Sequence, residues 1–287
     1  MKLFISLRPK IAGGGANAFA YNFAKWIKKN NKEYKAVRNI LHADKAIIIA
    51  HKANIKKVQK AKNKGCFIIH RLDEYFEQVE SEYRRRKHQK IIELNRFADV
   101  TVYQSNFVFS NVHPYLKTNR YEIILNGADP ELFYPAPESG KYIGHVSWGV
   151  DTKKRLDILY KFITEHPDQK FLLIGRHKES LYNFNLSNVI LKGVVKRKKL
   201  PRYYRMMKML YFPSENDPCP NTVIEAILSG VPICYNPAGG TIELVKNCGE
   251  PLDNVEVLLE NLTDYRSRCF ARKDLYFDQV FERYLNV

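Results

Sequence analysis

Two carboxylates eight residues apart, Asp217 and Glu225, enclose the stretch Pro218-Cys219-Pro220-Asn221-Thr222, where a polar loop passes into a helix beginning near Asn221. A helix start presents unpaired backbone N–H groups and the positive end of a dipole, a combination suited to a diphosphate. Ionised Asp and Glu only accept hydrogen bonds, so a pair of them around a phosphate site points to recognition of hydroxyls. Taken singly, each also reads as an N-cap aspartate and an ordinary helix glutamate. Gly239-Gly240-Thr241 then makes a second Gly-rich entry into a helix, so that two helix starts can converge on one ligand.

Two further groups of residues have the types for chemistry. Cys66-Phe67-Ile68-Ile69-His70-Arg71-Leu72-Asp73-Glu74 sets four polar side chains against the carboxyl end of an apolar run. His70 and Asp73 could orient hydroxyls or move a proton there, the alternative being a loop closed by local hydrogen bonds. Gly13-Gly14-Gly15-Ala16-Asn17-Ala18 follows the first apolar run and leads into a helix. It reads as G-x-G-x-x-A, but a dinucleotide fingerprint also wants an acid at the end of the second strand. Asp44 precedes that strand, which ends at His51, so a dehydrogenase is disfavoured and a purely structural tight turn remains open.

The elements that must position these residues are legible as apolar runs between amphipathic stretches. They are Lys2–Leu7, Ala46–Ala50, Cys66–His70, Val100–Tyr103 and Tyr121–Leu125, then Tyr142–Ser147, Phe171–Ile174, Val189–Leu191, Leu210–Phe212 and Val231–Tyr235. Continuous apolar strands alternating with helices predict an α/β fold of parallel sheet covered on both faces. Asn126 to Gly140 is dense in Pro, Gly, Asn and Asp, which places a boundary near residue 137 and divides the chain into 1–137 and 138–287. Each half reads as a doubly wound Rossmann-like sheet, the two facing a cleft. The segment from Asp264 to Tyr284 carries aromatic residues at helical spacing and is expected to pack back on the N-terminal domain.

Composition narrows the setting. The 287 residues carry a net charge of +17. Residues 1–136 hold 25 Lys/Arg against 12 Asp/Glu, net +13, so the excess is concentrated in the first half. Such a field favours anionic partners such as nucleic acid, acidic lipid headgroups or phosphorylated acceptors, beside the plain alternative of a solvated lysine-rich surface. The basic segments Phe23–Lys35, Lys52–Lys64 and Arg84–Lys90 could rest on an anionic membrane, although Phe23, Trp26 and Ile27 suit a core better. Five widely spaced cysteines without a C-x-x-C pair argue against a disulfide framework or a zinc site, and no apolar run reaches a membrane-spanning length. The expected location is cytoplasmic, with peripheral contact at the membrane face.

Together, His70-Arg71-Leu72-Asp73, Ala98-Asp99-Val100 with Gln104-Ser105-Asn106-Phe107, Ile124 to Asp129 with Phe133 and Pro135, Asp217–Glu225, Gly230-Val231-Pro232 and Gly239-Gly240 with Glu243-Leu244-Val245 resemble the large retaining glycosyltransferase family of GT-B fold. The resemblance runs from His70 to about Leu252. It implies that Asp217 contacts the donor sugar, Glu225 the ribose, and the backbone from Pro218 through Cys219, Pro220 and Asn221 to Thr222 the sugar and diphosphate. Lys154 would stabilise the departing diphosphate, the base would lie near Val195, and Gly14 and Gly15 would approach the phosphates from the other domain. His70 and Asp73 would act beside the donor sugar and acceptor. The chain departs from the family by carrying Asp217 where Glu is usual and Trp148 where an Arg is usual, so Arg155 or Arg176 is expected to supply the second positive charge. The implied reaction transfers a hexose from a UDP- or GDP-sugar, a substrate rather than a cofactor, to a glycan, glycolipid or other anionic acceptor, with retention and without a metal. The rival readings are a basic nucleic-acid-binding relative, a glycosyltransferase acting on DNA bases, and a nucleotide-sugar epimerase.

Overall fold

The computed structural model describes residues 1–8, 14–76 and 81–287, so Gly13 lies outside the described residues. The chain forms two units, residues 1–126 with 277–287, and residues 127–276.

The first unit is built on a parallel sheet of β1 (Lys2–Ile5), β2 (Lys35–Ala36), β3 (Lys45–Ile49), β4 (Phe67–Leu72), β5 (Val100–Tyr103) and β6 (Tyr121–Ile123), in the order β2-β1-β3-β4-β5-β6. Helices α1 (Gly15–Lys29), α2 (Ile55–Asn63), α3 (Glu82–Asn95) and α4 (Asn106–Val112) connect its strands. Strand residues alternate between two apolar layers: Ile47, Ile49 and Ile69 pack with α1, whereas Ala46, Ile48 and Ile68 pack against α2. That alternation is why β3 is apolar from Ala46 to Ile49, buried on both faces.

The second unit holds β7 (Tyr142–Ser147), β8 (Phe171–Gly175), β9 (Val189–Gly193), β10 (Met207–Phe212), β11 (Ile233–Tyr235) and β12 (Gly249–Pro251), all parallel, in the order β12-β11-β10-β7-β8-β9. Its helices are α5 (Leu156–Glu165), α6 (Leu200–Tyr204), α7 (Asn221–Leu228), α8 (Thr241–Val245), α9 (Val255–Glu260) and α10 (Leu262–Phe270). Successive strands run outward from β7 and then from β10 in opposite directions, so the sheet has its switch point between these two strands. In an open parallel sheet, the crevice beyond the carboxyl ends at such a point is where ligands bind.

The last helix, α11 (Phe277–Asn286), belongs to the first unit and packs on α1, with the Phe281 ring 5.4 Å from Phe19 and 5.1 Å from Phe23. Phe23, Trp26 and Ile27 are accordingly core residues. The division falls at Asn126 rather than near residue 137. Phe133 is buried 5.9 Å from Tyr204, and Ala128 bridges to Tyr276, so the Pro- and Gly-rich stretch is the packed entry of the second unit. Among the described residues, no helix is long and apolar enough to cross a membrane.

Candidate functional site

The carboxyl ends of the second sheet carry the expected donor residues in spatial order. Beyond β7 the chain runs through Trp148 and Gly149 to a short turn, Thr152–Lys154, before α5. Beyond β10 it runs through Ser214 and Glu215 to Asp217 and then α7. The two loops meet across the switch point, where Glu215 N–H donates to the Lys153 carbonyl at 2.8 Å. Lys154 Nζ lies 3.3 Å from Asp217 Oδ2, while Asp217 Oδ1 accepts the Cys219 N–H at 3.3 Å. Both side chains keep part of their surface in solvent, 25% and 22%, so the pair is accessible to a ligand.

The loop after β11 comes close against the same aspartate. Gly240 N–H donates to the Asp217 carbonyl at 2.9 Å, and Gly239 has φ +71° with its missing Cβ position only 2.7 Å from that carbonyl oxygen. Glycine is required there on both counts, conformation and room. Neither α7 nor α5 has a side-chain cap at its start. The start of α7 at Asn221 and Thr222 presents the positive end of the helix dipole beside Asp217. Pro218 is half-buried, Cys219 and Pro220 are buried, and the Ser214 and Thr241 hydroxyls are buried without a hydrogen-bond partner among the described residues.

Glu225 is 4% exposed on the inner face of α7. Its Oε1 lies 3.2 Å from Arg197, which follows β9, and its Oε2 accepts from the Tyr204 hydroxyl at 3.1 Å. Burial pushes its carboxyl above the usual carboxylate range, against the opposing pull of Arg197 and the tyrosine. Val195 is half-buried two residues before that arginine. Sequence reading did not single out Arg197 or Tyr204; the spacing Arg197 to Tyr204, about two turns, was the available signal.

The arginines expected to replace the family's missing one differ in what they touch. Arg155 sits at φ +46° and is held by both Asp157, at 2.9 to 3.2 Å, and Glu215. Its charge is therefore compensated twice. Arg176 follows β8, which is registered with Ser147 opposite Gly175, and its guanidinium lies over the Trp148 ring at 5.2 Å. Its other contact is a 3.5 Å approach to Glu179.

In the first unit, the arrangement after β4 corrects the expectation for His70. Strand alternation sends His70 and Arg71 to opposite faces of the sheet. The His70 ring is fully buried, donating from Nε2 to the Ala50 carbonyl at 2.9 Å and accepting at Nδ1 from Asn95 at 3.0 Å. Burial holds it neutral, with its pKa lowered to about 4, and neither nitrogen is left for a sugar hydroxyl. Asp73 pairs instead with Arg71, at 2.7 Å. Arg71 also reaches Gln104 at 2.7 Å and Asn126 at 2.8 Å and lies over the Phe19 ring at 4.1 Å, joining the ends of β4, β5 and β6. Gly14 caps the start of α1 at φ −66°, a conformation open to any residue, and a Cβ there would meet nothing within 4 Å among the described residues; Gly15 is the first helical residue. No group of three or more His, Cys, Asp or Glu side chains stands ready to hold a metal among the described residues.

Residues 140–265 match the family model of glycosyl transferases group 1. HepE from Anabaena, solved in complex with UDP, is similar in structure with a TM-score of 0.74 and 16% identity, covering 99% of this chain and 98% of that one. A sucrose-phosphate synthase from Thermosynechococcus elongatus gives 0.76 and 15%, covering 99% and 97%. TarM gives 0.63 and 15%, covering 92% of this chain and 58% of that one. A search of curated protein sequences finds no match.

Proposed function

We propose, from the match of residues 140–265 to the glycosyl transferases group 1 model and from the GT-B fold, that the protein transfers a hexose from a nucleoside-diphosphate sugar to a glycan or glycolipid acceptor, with retention of anomeric configuration. The observation that carries the reading is the Lys154–Asp217 pair across the switch point of the second sheet, beside the uncapped start of α7.

In this reading the diphosphate lies along the start of α7 and against Lys154. When it arrives, Lys154 exchanges the Asp217 carboxylate for phosphate oxygens, and Asp217 is released to accept from sugar hydroxyls. Glu225 accepts from the ribose, with Arg197 and Tyr204 fixing its orientation, and Val195 borders the base. The negative charge that grows on the leaving diphosphate is stabilised by Lys154, by Arg176 as the second cation, and by the helix start. Arg155 serves to brace the β7 and β10 loops through Glu215. The acceptor attacks from the leaving-group face and the diphosphate takes its proton, so no protein nucleophile is needed and positioning does much of the work. The basic first unit holds the acceptor, which Asp73 orients. UDP is the favoured nucleotide, since HepE structures hold UDP and UDP-glucose.

Thermal stabilisation by UDP, GDP, ADP and dTDP and their sugars tests this on wild type and Asp217→Ala. A ligand at one hundred times Kd should add about 2.7 kcal/mol. A shift selective for one nucleotide sugar, reduced in the variant, and transfer that persists in EDTA are expected. No shift with any nucleotide would sink the proposal.

A further inference from the structure

The first sheet has a switch point of its own, between β1 and β3, because the chain leaves β1 for the outer strand β2 and returns on the other side. A pocket opens there, lined by Ser6, His51, Lys52, Asn54, Lys57 and Lys90 over an apolar floor that includes Ile40 and Val58. We propose that this pocket binds a phosphoryl group carried by the acceptor, an inference that rests on the transferase reading above and specifies its second substrate.

The lining is cationic and uncompensated. No Asp or Glu lines it, and none of Lys52, Lys57 and Lys90 forms an ion pair among the described residues. Glu74, which meets the lining residue His51 with one oxygen 3.3 Å from Nδ1, holds Lys87 with the other at 2.7 Å. Burial above all lowers the pKa of His51, against the pull of Glu74 and with smaller contributions from Lys52, Lys87 and Lys90. Lys52, Lys57 and Lys90 thus line one pocket with their charge unspent.

Polar donors complete the concavity. The Ser6 hydroxyl oxygen accepts the Ile49 N–H at 2.9 Å and so ties β1 to β3, its proton remaining for another acceptor. Asn54 caps α2 by accepting the Lys57 N–H at 3.0 Å, and its amide NH2 is left over. The positive end of the nine-residue α2 adds to the field. A phosphoryl group brings close to two negative charges and three acceptor oxygens, which matches separate point-charge donors on several sides. A carboxylate, with two coplanar oxygens, is better served by a guanidinium fork, and no arginine lines the pocket.

The phosphoryl group could belong to a soluble sugar phosphate or to a lipid-linked one, and the test separates them. Binding to the full chain is measured for glucose 1-phosphate, for glucose, and for vesicles of phosphatidylcholine with and without phosphatidic acid, with UDP binding followed in parallel. Wild type is compared with a Lys52→Gln, Lys57→Gln, Lys90→Gln variant and with a control, Lys56→Gln, Lys60→Gln, Lys64→Gln, that removes equal charge outside the pocket. The expected result is that the pocket variant loses at least tenfold in affinity for the soluble ester or for the anionic vesicles, whichever binds, while the control loses less than threefold and UDP binding is unchanged. Loss with the soluble ester assigns a free sugar phosphate, and loss with vesicles alone assigns a lipid headgroup. Absence of saturable binding to either, or equal loss in both variants, overturns the pocket. If UDP fails to bind wild type, the transferase reading falls instead.

Discussion

Lys154 and Asp217 hold each other at 3.3 Å, and in the proposed reaction that pair marks where the leaving group is met. Removing the cation should act on the transition state more than on the resting donor, because charge on the diphosphate grows as the bond to the sugar breaks. Lys154→Ala is expected to lower kcat by roughly 10²- to 10³-fold while the donor KM changes by much less, as steady-state kinetics would record. An unchanged kcat would remove Lys154 from the mechanism. At this scale the sequence was informative about residue types at strand ends, since carboxylates, glycines and lysine all recur there. It was uninformative about which neighbour each one faces. His70 and Arg71 are adjacent in sequence, yet one is sealed in the core with both nitrogens engaged and the other ties three strand ends together. Glu225 likewise shows nothing in its own surroundings of the arginine 28 positions earlier that meets it.

Among the elements, the loops after β10 and β11 behave as one piece because Gly239 lets their backbones touch. Gly239→Ala is expected to push the Asp217 loop outward, raising the donor KM at least tenfold with a smaller effect on global stability, which donor titration and urea unfolding would separate. Helix α11 makes the opposite kind of contribution, through area rather than position. Phe281 packs against Phe19, Phe23 and Trp26, so Phe281→Ala should cost about 3–5 kcal/mol of unfolding free energy. Urea denaturation followed by Trp26 fluorescence would report it, and a loss under 1 kcal/mol would contradict the packing. Ten of the strands announce themselves as apolar runs. The two that do not, β2 and β12, are edge strands of two and three residues, one containing Lys35 and the other Pro251, and edges of that kind carry no apolar signature. The boundary was misplaced for a related reason: proline and glycine mark irregular backbone, and here irregular backbone is packed inside the second unit.

At the scale of the whole molecule, three buried histidines set the behaviour in acid. His70 and His177 are lowered to about 4 by burial, and His145, 2.6 Å from His177, is lowered well below its ordinary value by burial and by its neighbour. An unfolded chain takes up protons on these rings near 6.5, whereas the folded one does not until much lower pH. The unfolded state therefore binds more protons over that interval, and stability falls as pH falls. Full stability is expected above about 6.5, with a progressive loss down to about pH 4, and a His145→Gln, His177→Gln double variant should flatten that slope. Thermal unfolding across the interval checks it, and a Tm independent of pH there would refute the assignment.

Helix α11 completes a unit that the rest of the chain began more than a hundred residues earlier, and this bears on how the protein is made. A polypeptide growing from its amino end delivers the first sheet early but leaves Phe19, Phe23 and Trp26 uncovered until residues 277–287 exist. Residues 127–276 are contiguous, and their two ends meet side by side where Ala128 N–H donates to the Leu275 carbonyl at 3.0 Å. The second unit can therefore close without residues 277–287, whereas the first cannot, so the order of maturation reverses the order of synthesis. A chain truncated after Tyr276 should display protease-resistant second unit and protease-sensitive first unit.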